Sequence, residues 1–128
     1  MKLKDATGEI CSGLLDLTRE GGPGNFMVVS SGEVYLQFSG SPGNPQVVCE
    51  CVSNEYLPAK LEISAGAMEK LKALGFALSG GEVSNFSRNY DLVNEDQARE
   101  LAELSTRIFQ EVYAVRPDAE VQIEVSLE

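Results

Sequence analysis

The sequence predicts an α+β fold: an antiparallel sheet of about five strands with helices packed on one face, in the order α-β-β-β-α-β-α-β. Three observations lead there. Glu33 to Leu57, EVYLQFSGSPGNPQVVCECVSNEYL, is two runs rich in β-branched and aromatic residues joined by a Gly/Pro/Ser/Asn loop, the pattern of a β-hairpin. From about Glu95 to Val115, apolar residues recur at helical spacing. Strand runs and helical runs alternate irregularly, which favours an antiparallel sheet over strict β-α-β units.

The first helix spans 7 to 20. Thr7 serves as its N-cap, Glu9 suits the positive end of the helix, and Ile10, Leu14 and Leu17 follow i, i+4, i+7 spacing. GGPG, from Gly21 to Gly24, ends it. This Gly-rich stretch lacks the Lys and Ser/Thr of a phosphate loop and follows a helix instead of preceding one, so it reads as a turn. Asn25 to Ser30 is a short apolar strand, and Ser31-Gly32 turns it into the hairpin.

Period 2 then sorts the hairpin into faces. Val34, Leu36 and Phe38 meet Val47, Cys49 and Cys51 on the core side. Tyr35, Gln37, Val48, Glu50 and Val52 remain on a second, mixed face, too apolar for ordinary solvated surface. Ser53 to Leu61 is a loop or crossing segment. Ser64 caps a second helix through Leu74, with Met68, Leu71 and Leu74 inward and Gly75 at the C′ position. Residues 76 to 83 form a loop, and Ser84 to Leu92 form a strand with Phe86 and Tyr90 on one face and Asn85, Ser87 and Asn89 on the other.

Asn94 and Gln97 make a capping box for the long helix. Its buried stripe is Leu101, Leu104, Ile108, Val112 and Val115, widened by Ala98, Ser105, Phe109 and Tyr113. Glu95 with Arg99 and Glu103 with Arg107 are i, i+4 pairs on a solvated face, not catalytic acids. Glu120 to Leu127, EVQIEVSL, alternates cleanly and reads as an edge strand whose charges oppose uncontrolled pairing. Leu127-Glu128 resembles a cloning remnant and is assigned no role.

Composition narrows the function classes. The 128 residues are read as one domain, 43% of them hydrophobic, without an apolar run of membrane-spanning length. The start, MKLKDATGE, lacks a signal-peptide core, so the expected location is the cytoplasm. Twenty acidic against ten scattered basic residues give a net charge of −10, which sets aside nucleic acid and anionic membrane as partners. The same acidity serves solubility, or attracts basic partners.

Cys11, Cys49 and Cys51 are an odd set with no histidine in the chain to complete a zinc site. They read as buried thiols; no metal and no cofactor are expected. The chain also has no nucleophile elbow or general-base histidine, so no catalytic residues are assigned and the expectation is a non-enzyme. A low-pKa Cys49 or Cys51 is the one route by which an enzyme reading would return.

The order and spacing of several short motifs carry a resemblance. Tyr35-Leu36-Gln37-Phe38, Cys49-Glu50-Cys51-Val52-Ser53-Asn54-Glu55-Tyr56-Leu57, Leu74-Gly75-Phe76, Asn85-Phe86 and Phe109-Gln110-Glu111-Val112-Tyr113 resemble the TY-Chap domains, named for likeness to type III secretion chaperones and YbjN proteins. The match covers about residues 10 to 115. It implies a secretion-chaperone-like fold, frequently dimeric, that binds peptide segments of other proteins. In the family an aromatic follows the Leu-Gly step and a proline comes soon after; Phe76 keeps the first, while Ser79-Gly80-Gly81 replaces the second.

Gln37, Glu50, Asn54 and Asn85 are the family's polar positions that match here. Asn54 and Asn85, at strand ends, also suit backbone-bonding turn roles. The candidate partner-binding set is therefore Tyr35, Gln37, Val48, Glu50, Val52, Asn54 and Asn85, for a protein or peptide client. The competing readings are a homodimer interface on the same face with no client, and an enzyme of unknown class.

Overall fold

The computed structural model describes residues 1–78 and 84–128; of the loop expected over 76–83, the part 79–83 lies outside the described residues. Helices α1 (Thr7–Arg19), α2 (Ala65–Ala73) and α3 (Glu95–Glu111) accompany strands β1 (Asn25–Ser31), β2 (Val34–Ser41), β3 (Asn44–Cys51), β4 (Ala77–Leu78), β5 (Phe86–Asp91) and β6 (Gln122–Ser126). The strands form one sheet in the order β4-β5-β3-β2-β1-β6, antiparallel at every pairing. The α+β class is as expected, with six strands where about five were read. The additional one, β4, is two residues long and has no alternation to betray it.

Turn chemistry sets the hairpins. Gly32 (φ 60°) turns β1 into β2, and Gly43 (φ 80°) turns β2 into β3. The second turn is tighter than its Gly/Pro/Ser/Asn composition suggests, because the strands run to Ser41 and resume at Asn44. A register shift between Ser39 and Ser41 takes up the irregularity next to Pro45, which has no N–H to give a ladder.

The hairpin's expected core pairing holds. Leu36 faces Cys51 and Phe38 faces Cys49, and Leu36, Phe38, Val47, Cys49 and Cys51 are wholly buried. On β1, Met27 and Val29 join them. α1 supplies Ile10, Leu14 and Leu17 to the same core, and α3 supplies Ala98, Leu101, Ala102, Ile108 and Phe109. α1 packs on α3 and on β1, β2, β3 and β6. α2 stays in this helical layer, its Lys70 ammonium reaching the Glu111 carbonyl at the end of α3. The helices thus share one side of the sheet.

Helix ends follow sequence rules with two departures. Ser64 accepts from the Ala67 N–H (3.1 Å), and α2 closes in a Schellman turn, Phe76 N–H to Leu71 carbonyl and Gly75 N–H to Lys72 carbonyl, with Gly75 at φ 92°. The Asn94–Gln97 capping box is present in full. Thr7, however, is not the cap of α1: Ala6 is, without a side-chain bond, because a 3-10 turn over Leu3–Asp5 leads directly into the helix. α3 also stops at Glu111, short of Val115. The chain turns there through Ala114 (φ 55°), and the Tyr113 hydroxyl donates to the Val52 carbonyl at 2.6 Å.

β6 lies at the sheet edge beside β1, as its charges led us to expect. No described helix is long and apolar enough to cross a membrane.

Candidate functional site

With the helices gathered on one side, the other side of the sheet is uncovered by any described element. Its side chains follow from the register. One row across the strands reads Glu124 (β6), Val28 (β1), Gln37 (β2), Glu50 (β3), Ser87 (β5) and Ala77 (β4). The next reads Ser126, Phe26, Ser39, Val48 and Asn89. Tyr35 stands beside Ser30 on the far side of the first row. Phe26, Val28, Tyr35 and Val48 are half-buried here, while their core-side neighbours are sealed. Apolar rings and methyls thus stand at water with short polar groups between them.

Tyr35, Gln37, Val48 and Glu50, brought together by the hairpin's alternation, are all on this face. Val52 is not accessible there. It continues β3 one residue past its end, its N–H donating to the Tyr35 carbonyl (3.2 Å), yet it is 0% exposed. Extending the register puts Val52 between Tyr35 and Asn85, and those two side chains meet directly, Asn85 Nδ2 donating to Tyr35 Oη at 3.0 Å. Val52, expected on the mixed face as a partner-binding residue, is in register with that face but wholly buried within the core cluster.

Asn85 and Asn54 are occupied by the fold. Asn85 Oδ1 accepts from the Ser53 N–H, beside a Ser53 hydroxyl bond to the Ser84 carbonyl. Asn54 lies in the loop after β3 and clasps Ile63 twice, Nδ2 donating to its carbonyl and Oδ1 accepting from its N–H. These are the turn-closing uses of asparagine that its short amide favours. Phe26 and Val28, which sequence reasoning did not single out, belong to the open face more plainly than either asparagine. Their signal was the alternation of NFMVVS, invisible as a face until β1 was known to pair with both β2 and β6.

Grooves on the helical side include two that meet at Leu104. One, about 670 Å³, runs between β5 and α3 beside Arg88, Tyr90, Leu104 and Arg107. The other, about 310 Å³, lies between α2 and α3 over Leu74, Leu104, Ile108 and Val112. Leu104, expected in the buried stripe, is only half-buried because it lines both. Arg88 stacks on Tyr90 (4.4 Å to the ring centroid) and donates to the Leu74 carbonyl, so its charge is spent on holding α2 to β5. Burial pushes the Tyr90 phenol up to about 12.

The cysteines face the core. Cys11, Cys49 and Cys51 are free and buried, and burial, reinforced by the neighbouring Cys51 thiol, pushes the Cys49 thiol well above its ordinary range. A thiol held protonated and out of solvent is a poor nucleophile. Native protein at neutral pH should therefore resist iodoacetamide while denatured protein takes up three equivalents, one per cysteine. Rapid labelling of Cys49 or Cys51 in the folded state, read by mass spectrometry, would restore the enzyme reading. Among the described residues no group of three or more Cys, Asp or Glu is placed to hold a metal ion.

Comparison with known proteins returned no match among curated proteins and none among solved structures. A family model does match, over residues 8–126, and its description is TY-Chap3, T3SS (YopN, CesT) and YbjN peptide-binding chaperone 3. That span runs from the start of α1 through β6 and includes every strand of the open face. The chain belongs to the TY-Chap3 family of peptide-binding chaperones.

Proposed function

We propose that this protein is a non-enzymatic chaperone or adaptor that holds a segment of a client polypeptide on the open face of its sheet, against Phe26, Val28, Tyr35 and Val48 and registered by Gln37 and Glu50. The observation that carries the reading is the one-sided layering. Helices seal one face of the sheet, while the opposite face leaves half-buried apolar side chains at water with polar groups interleaved. Interfaces combine apolar anchors with a few orienting hydrogen-bond groups in this way. Membership in a peptide-binding chaperone family supports the same reading.

Phage-displayed random peptides selected on the protein supply the probe, and Val48→Asp is the test. Val48 sits between Ser39 and Asn89, so the carboxylate meets polar neighbours, and the fold should lose only about 1 kcal/mol. Binding of the selected peptides should fall at least tenfold, the effect of about 1.4 kcal/mol at an anchor. Peptides that bind the variant unchanged would move the site elsewhere, and a selection that enriches nothing would count against client binding itself. Light scattering on the same pair of proteins separates the homodimer reading. A wild-type mass near twice the 13.8 kDa chain that Val48→Asp halves would make this face a subunit interface.

A further inference from the structure

Resting on the reading of the open face as a client site, we propose that the segment it takes is basic and apolar by turns, with two cations about four residues apart on either side of an apolar residue: Lys/Arg-x-Φ-x-Lys/Arg, bound extended and crossing the strands. Charge is the first support. The open face carries Glu50, Asp91 and Glu124, and none of the three forms an ion pair among the described residues. Arg88 is the only basic residue in any described strand, and it pairs opposite Cys49, on the helical side. Lys2 is bridged opposite Glu120, ahead of the start of β6, and the Met1 ammonium pairs with the Glu120 carboxylate there. A face of one sign, on a chain of net charge −10, raises the local concentration of cationic segments and repels acidic ones.

The same charges argue against a second copy as the occupant. A two-fold pairing through this face would set its acidic groups against an equally acidic face, with no strand cation among the described residues to offset them. Like charges brought together in that way disfavour association.

Register supplies the spacing. Glu124 and Glu50 share one row, separated by Val28 and Gln37, so they stand three strands apart. At about 4.8 Å per strand that is about 14 Å, and an extended peptide rising about 3.3 Å per residue covers it in about four residues. Residues i, i+2 and i+4 of such a peptide point to the same side. Cations at i and i+4 then reach the two carboxylates, and the residue at i+2 lands over Val28 and Gln37, with Phe26 in the row beside them. Near-perpendicular crossing is one of the two arrangements in which the strands of facing sheets pack.

Synthetic peptides that keep one apolar frame and place Lys, Ser or Glu at the two outer positions test this on the unaltered protein by fluorescence anisotropy. The Lys peptide should bind at least tenfold tighter than the Ser peptide at low salt, lose that advantage as salt rises, and outdo versions with its cations two or six residues apart. Glu50→Lys and Glu124→Lys, both on exposed or half-exposed strand positions, should each weaken the Lys peptide and together favour the Glu peptide. Equal affinity for all three charges, with binding still lost in Val48→Asp, would overturn the charge assignment and leave the client site standing. Indifference to spacing would overturn the crossing geometry. Failure of every peptide, charged or not, would overturn the charge assignment and the client site together.

Discussion

Replacing Asn25 by alanine should cost about 3 kcal/mol and lower the melting temperature by about 10 °C, although Asn25 opens a strand and has an ordinary-looking neighbourhood in sequence. Its amide is 1% exposed and fully used. Nδ2 donates to the Leu17 and Glu20 carbonyls at the end of α1, and Oδ1 accepts from the Gly22 N–H and the Glu128 N–H. One side chain thus closes the C-terminus of α1, holds the glycine turn and fastens the end of the chain beyond β6. Alanine leaves those four backbone groups without their partner. The cost of stranding them, more than the bonds themselves, sets the magnitude. Asn25→Asp should do no better, since a carboxylate keeps both acceptor roles but faces two carbonyls where the amide donated. A thermal melt reads the effect, and hydrogen exchange should show it at the end of α1 and along β6 first. A loss below about 1 kcal/mol for both variants would mean that water replaces the amide at this junction.

The sequence already showed what depends on local pattern. The β2–β3 register, the two faces of the hairpin, the Ser64 cap, the Asn94–Gln97 box and the edge placement of β6 all rest on residues within a few positions of one another, where period and cap chemistry act. What it hid was long-range. Val52 looked like the next outward residue of an alternating strand, yet it is wholly buried, flanked in register by Tyr35 and Asn85, whose side chains bond across fifty residues. Asn25 gains its fourth bond from a residue 103 positions away. β4 is too short to show a period, and α3 ends at Glu111, beyond which the Tyr113 hydroxyl bonds the Val52 carbonyl across 61 residues. Of the candidate site, the hairpin's share was legible. The β1 share, Phe26 and Val28, needed the sheet order before its outward residues could be assigned to a face.

That face assignment has a direct consequence on β2, where neighbouring residues should behave in opposite ways. Phe38→Ala should cost about 3–5 kcal/mol, because Phe38 is wholly buried in the middle of the sheet, between Met27 on β1 and Cys49 on β3 and beneath the helical layer. Against a total stability of about 5–15 kcal/mol this removes a large share, and the melting temperature should fall by more than 10 °C. Gln37→Ala, one residue earlier and on the open side, should change stability by no more than about 0.5 kcal/mol. A one-residue slip in register would exchange the two outcomes, since it carries every side chain to the other face. Urea denaturation of the pair, with the slope checked for constancy, decides between the registers. The contrast also makes the binding tests readable. If open-face substitutions leave the fold nearly untouched, then a peptide lost from Val48→Asp or Glu50→Lys is lost at the surface, and the sheet beneath it is intact.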